Sequence, residues 1–324
     1  MENRFDLNVN SNEVIKDIKA GLESAFDRRG IVVPDDESTG LDDANIKIQK
    51  FTYRVVEHYD IPVIRTWYRY GQFEPYNTLR PRSISPHPLD DRSKSVPSRK
   101  FDDLTRKDIE GYFLEMDDLE DDWRKPLFSF LHDNYASDAD DGFRDIYLAN
   151  VDILETLEKI KNESQLQTNS ASYADELRSP SIDLWYEMDE SEYFDDSEVS
   201  FVRDFLDMLQ SALIGLASSE DPNPSKISII RNSRDIYNHK VWPWPAMKIS
   251  IKEAEGPDTE LRNHFLPKGR RILNLFKNTF PNRFERWEGE IYSSNLNPNP
   301  IKYRSYGRDL PEELHELGRS TMEI

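Results

Sequence analysis

The sequence predicts a mainly α-helical, multi-helical fold in two modules, with at most a small β element near residues 61–76. Three observations carry this. Apolar residues recur at spacings of three and four along most of the chain. No strand–helix alternation of the kind a parallel sheet requires is present. The twelve glycines are scattered, several of them where a helical pattern ends.

In order, the first helix places Val14, Ile15, Ile18, Leu22, Ala25 and Phe26 on one face, with Asn12 to cap it and Gly30 to end it. A second, opened by Asp42 or Asp43, carries Ala44, Ile48, Phe51 and Val55. Residues 61–76 are aromatic and partly extended, and 80–100, with four prolines among Ser and Arg, read as a loop. Three helices follow, centred on Ile109–Leu119, Trp123–Leu131 and Phe143–Ile160. Residues 162–195 open with a run rich in Ser and Asn and read as an acidic linker. It separates an N-terminal module, 1–161, from a C-terminal one, 196–324. The strongest C-terminal helix spans about 198–218, where Val202, Phe205, Leu209, Ala212, Leu213 and Leu216 keep register. Helices are also expected at 226–241, 258–280 with a break at Pro267, and 310–317. Met247, Ile249 and Ile251 alternate like a strand, but the prolines before them and Gly256 behind favour a helix over 246–255.

Charge narrows the setting. The chain holds 62 acidic and 42 basic residues, a net charge of −20, with 34 Asp to 28 Glu and 25 Arg to 17 Lys. Dense carboxylates hydrate a surface in molar salt, which screens their repulsion, so this bias predicts a halophilic cytoplasm. The charge is uneven: residues 108–221 carry −24, while 61–107 carry +5 and 222–308 carry +8. Such polarity predicts distinct modules, or basic segments docking on the acidic one. Zero cysteine excludes disulfides, thiol nucleophiles, Cys-ligated zinc and iron–sulfur clusters. The first residues hold no apolar leader segment and no apolar run is long enough to cross a bilayer, so an intracellular protein without membrane contact is expected.

Motifs exclude more than they assign. Neither G-x-G-x-x-G nor G-x-x-x-x-G-K-[ST] occurs, which argues against a nucleotide-binding Rossmann or P-loop enzyme. None of the six histidines forms an H-x-x-x-H pair, and Asp138–Gly142 fails the register of a calcium loop. No metal and no cofactor is therefore expected. Arg234-Asp235-Ile236-Tyr237-Asn238-His239 has the spacing in which a His serves as general acid/base beside an Arg that holds a phosphate. It resembles the R-x4-6-H motif of HEPN-type ribonucleases, which implies a helical ribonuclease using Arg234 and His239. Arg82 to His87 and Arg308 to His315 show similar spacings.

Lys47-Ile48-Gln49-Lys50-Phe51-Thr52-Tyr53, followed by Trp67-Tyr68-Arg69-Tyr70-Gly71-Gln72-Phe73-Glu74-Pro75-Tyr76, resembles two blocks of the Panacea antitoxin-domain family. There a K-L-x-K-L-x-Y helix precedes a W-x-Y-G-P-x-x-P-x-Y segment; here Gln72 stands where that family has proline. The resemblance covers about 30 residues. It implies a non-enzymatic domain that contacts a toxin partner through Trp67, Tyr68, Tyr70, Phe73 and Tyr76. Trp242-Pro243-Trp244-Pro245, a stiff apolar knuckle, offers Trp242 and Trp244 as a further partner-binding edge. A third possibility is nucleic-acid binding by the basic segment 222–308, with Lys268, Arg270 and Arg271 opening a helix and meeting phosphates. The expectation is a non-enzymatic interaction or regulatory protein with a protein partner, of toxin–antitoxin or defence type. A ribonuclease and a nucleic-acid-binding module are its rivals.

Overall fold

The computed structural model describes residues 11–33, 41–73, 95–101 and 104–296. The order is α1 (Ser11–Arg29), α2 (Leu41–His58), β1 (Thr66–Tyr68), β2 (Gly71–Phe73), β3 (Ser95–Val96), β4 (Leu104–Thr105), α3 (Arg106–Glu115), α4 (Leu119–Arg124), α5 (Leu127–Asp138) and α6 (Arg144–Asn162). Then come α7 (Leu166–Glu190), α8 (Asp196–Ala217), α9 (Pro224–Arg231), α10 (Ser233–Ile236), α11 (Pro243–Lys252), α12 (Asp258–Glu260) and α13 (Leu266–Ser293). Tyr237–Val241 and Leu261–Phe265 form π-helical turns. The fold is mainly α. The strands form two short antiparallel ladders, β1–β2 and β3–β4.

Two units result. One takes Met1–Arg144 and Pro245–Leu275, the other Asp145–Trp244 and Phe276–Ile324. Helices α11 and α13 each give residues to both. This division is not the succession of 1–161, 162–195 and 196–324 expected from composition.

In the first unit α1 packs on α2 and α3. Gly30, at φ +66°, ends α1, and a capping box between Thr105 and Asp108 opens α3. The core gathers Ile15, Ile18, Phe51, Val55, Ile109 and Phe113. Hairpin β1–β2 turns through Arg69 and Tyr70, with Tyr68 paired to Gly71. This is the small β element expected at 61–76. Thr66 Oγ1 donates to the carbonyl of Ser250 at 2.6 Å, and Arg65 bridges Glu255 main chain to main chain, so the hairpin is tied to α11 and the residues after it.

In the second unit α7 and α8 pack along their lengths. All six residues expected in register on α8 are buried, and an Asp195–Glu198 capping box starts that helix. Around them lie Tyr147, Leu157, Tyr237, Trp242 and Trp287, each at most 2 % exposed. The Phe205 and Trp287 rings stack at 4.9 Å, and Trp287 Nε1 donates to the Ile229 carbonyl at 3.1 Å.

Three expectations are corrected. Residues 166–190, read as linker, are a 25-residue helix. Its buried seam is Leu166, Ser170, Ala174, Leu177, Ser181, Leu184 and Met188, spaced four, four, three, four, three and four. The serines and Ala174 in that seam hide a helical period behind a polar composition. Pro267 does not break the helix near 258–280. It follows the π-helical turn Leu261–Phe265 inside a helical run unbroken from Asp258, and α13 runs on to Ser293 through Pro281. Asn12 lies inside α1 and is not its cap. The 246–255 ambiguity resolves as helix to Lys252. The helix expected at 310–317 and most of the 80–100 loop lie outside the described residues.

Candidate functional site

Helix α13 is built by an apolar row, Leu273, Phe276, Phe280, Phe284, Trp287 and Ile291, spaced three, four, four, three and four. That row faces inward: Phe280, Trp287 and Ile291 are buried, and Phe276 stacks on Phe280 at 4.4 Å. The opposite side consequently meets water. Lys268, Arg270, Arg271, Lys277, Arg283 and Arg286 are all exposed. Gly269 is the buried residue between the first two. A Cβ there would lie 2.9 Å from Ile251 Cγ1, so only glycine lets the start of α13 settle on α11 with its neighbours turned outward.

Between Glu260 and Glu285 the chain holds no acid. This is unusual where acids outnumber bases 62 to 42. Among the described residues, Lys268, Arg270, Arg271, Lys277 and Arg283 have no carboxylate within ion-pair distance, whereas Arg286 pairs with Glu290 at 3.7 Å and Arg262 with Asp258 at 3.6 Å. Lys268, Arg270 and Arg271 therefore point outward. Lys277, Arg283 and the polar residues between them were missed in the sequence. The acid-free run was the signal that marks them.

The aromatic candidates are placed differently. Trp67 is 5 % exposed and packs on Tyr135 and Phe143, with ring centroids 6.2 and 5.0 Å away. Tyr68 is half-buried, and burial raises its hydroxyl pKa. Tyr70 is half-buried too, with the Arg69 guanidinium over its ring. The Phe73 side chain and Tyr76 lie outside the described residues. Trp242 is fully buried in a T-shaped contact with Tyr147 at 5.5 Å, and Trp244, 3 % exposed, packs on Phe201 at 5.3 Å. Trp67, Trp242 and Trp244 are thus core residues and not a surface for a partner. The proline-flanked Trp pair closes a core because Pro243 and Pro245 sit in the first turn of α11.

The lysines of the K-x-x-K-x-x-Y block are also interior. Lys47 Nζ donates to the Trp123 carbonyl at 2.6 Å and to that of Lys125, closing the C-terminal end of α4, where a cation is favoured. Lys50 is 1 % exposed, and burial drives its pKa well down, with Asp138 opposing.

Arg234 and His239 occupy α10 and the π-turn after it. His239 is exposed, but the Arg234 guanidinium is taken: Nε donates to Glu158 Oε2 at 2.8 Å and Nη1 to Asp235 at 3.2 Å. Lys161 also reaches Asp235, at 3.3 Å. Burial raises the Asp235 pKa, but hydrogen bonds and charge from Arg234 and Lys161 outweigh it and hold the carboxyl low. Two carboxylates at the guanidinium oppose a phosphate there. Among the described residues no group of three His, Cys, Asp or Glu could hold a metal ion, and no helix is long and apolar enough to cross a membrane.

The family model for the domain of unknown function DUF8098 matches residues 3–94 and 74–323, and the chain belongs to that family. No curated protein and no solved structure matches it.

Proposed function

We propose that this member of an uncharacterised family is a non-enzymatic, cytoplasmic nucleic-acid-binding protein that grips the phosphate backbone with the outer face of α13. One observation carries the reading: an acid-free run of exposed basic residues on one helix of a strongly acidic chain, Lys268, Arg270, Arg271, Lys277 and Arg283 having no ion-pair partner among the described residues. Each Lys or Arg that meets a phosphate releases counterions, so affinity comes from this helix and falls with salt. The acids elsewhere repel a polyanion. Burial of Trp67, Trp242 and Trp244 weighs against the rival reading, in which aromatics dock a protein partner.

The test is a fluorescence titration of labelled DNA and RNA oligonucleotides with the full chain. It runs in graded salt, starting from the lowest concentration at which the helical circular dichroism is retained. The expected result is a linear fall of log affinity with log salt, shallower by about one unit for each of Lys268→Gln, Arg270→Gln and Arg271→Gln. Absence of binding at every salt concentration overturns the proposal.

A further inference from the structure

From the arrangement of side chains on α13 we infer that this helix reads double-stranded DNA in the major groove, with asparagines at base edges and basic residues on the strands either side. The inference rests on the nucleic-acid reading above and adds the class of nucleic acid and the mode of recognition.

Asn274, Asn278 and Asn282 are all exposed and stand four residues apart, so they form one row along the outer face. Successive members are roughly 6 Å apart along the axis, close to two base-pair steps of about 3.4 Å each. Arg271 lies in the same row's path, and Leu275, 57 % exposed, lies beside it. These residue types match the major-groove code: Asn pairs with the adenine edge, Arg with guanine, and an apolar group meets the thymine methyl. At about 100° per residue, Lys268 falls on one flank of the row, and Arg270 and Lys277 on the other. Cations on both flanks suit a helix lying between two phosphate strands. All these residues belong to the single helix Leu266–Ser293, with Pro281 between Asn278 and Asn282.

Chemistry also separates the nucleic acids. Single-strand recognition needs exposed rings on which bases stack, but the aromatics of α13 face inward: Phe280 is 5 % and Trp287 2 % exposed. Duplex RNA presents a major groove too deep and narrow for side chains to read. The B-form major groove, roughly 12 Å wide, admits an α-helix.

The experiment is a binding selection by the full chain from a pool of random-sequence DNA duplexes. It is followed by competition between the recovered duplex, a scrambled duplex, the separated strand and an RNA duplex of the same sequence. The recovered duplex is expected to win over the scrambled one by about tenfold or more. The double variant Asn278→Ala/Asn282→Ala is expected to lose that preference while keeping the wild-type affinity for scrambled duplex and the wild-type circular dichroism. Lys268→Gln is expected to weaken both duplexes alike. Failure to enrich any sequence overturns the inference, as does a preference that survives in the asparagine double variant. Tighter binding of single strand or RNA also overturns it, and leaves the proposed nucleic-acid function standing. Loss of all binding would instead strike that broader proposal.

Discussion

Gly215 of α8 lies directly against the backbone of Leu296: a Cβ on Gly215 would come within 1.7 Å of the Leu296 carbonyl oxygen. Leu296 is fully buried, so the chain beyond α13 is pinned to α8 through a contact that no side chain can share. Gly215→Ala must lift this segment. The expected cost is about 2 kcal/mol or more, read as a lower urea midpoint, with faster hydrogen exchange at residues 294–296.

Lys50 gives a pH signature. Its pKa is lowered by burial, so between that lowered value and the ordinary lysine value of about 10.4 the unfolded chain binds the extra proton. Stability from this group therefore rises with pH through that window and is lowest below it. Lys50→Met is expected to flatten the alkaline rise and to gain on the order of 1 kcal/mol at neutral pH. Melting temperatures of both proteins across pH test this.

Glu163 acts in the acid range with the opposite origin. The Gln165 amide, Asn169 and Tyr173 donate to its carboxylate at 2.7, 3.0 and 2.9 Å. These bonds hold its pKa at about 2. A depressed carboxyl contributes stability above the unfolded value, about 4.3, and loses it as pH falls through about 2. In Glu163→Ala that part of the acid decline is expected to vanish, and a carbon-detected NMR titration should place the wild-type midpoint near its lowered value.

Arg234 is expected to act on stability. With its pairs to Glu158 and Asp235 removed, Arg234→Ala should cost about 1 kcal/mol, measured by denaturant unfolding. Glu158→Gln should lose a similar amount, and the double variant less than the sum, because both changes remove one interaction.

Trp242 is a core ring, so Trp242→Ala should cost about 3–5 kcal/mol. A fluorescent-ligand screen that finds a protein partner docking on an intact Trp242 would contradict its burial.

The helices of this fold were legible wherever a buried row is made of large apolar residues, as on α8; on α13 the expected helix ends at Phe280, because Pro267 and Pro281 look like breaks in a row that continues through Phe284, Trp287 and Ile291. They were illegible on α7, where Ser170, Ala174 and Ser181 fill the seam and composition imitates a linker. The interior lysines were illegible for another reason. Charge in a sequence carries no record of which carbonyls a folded chain will offer, and Lys47 finds two of them only across α4. Lys268, Arg270 and Arg271 could be read because their context was local and basic. Asn274, Asn278 and Asn282 could not, because nothing about three asparagines distinguishes a readout row until their shared exposure is known. The twin tryptophans misled for the same cause, exposure being a tertiary property.

The acids on either side of the basic run, Glu260 and Glu285, limit its reach. From Leu266 to Phe284 the helix runs 19 residues without a carboxylate, about 28 Å at 1.5 Å per residue, and Glu285 and Glu288 then close it off. A polyanion lying along that length meets like charge at Glu285. On duplex DNA that is a span of about eight base-pair steps, so the base pairs this helix can contact lie within a single helical turn.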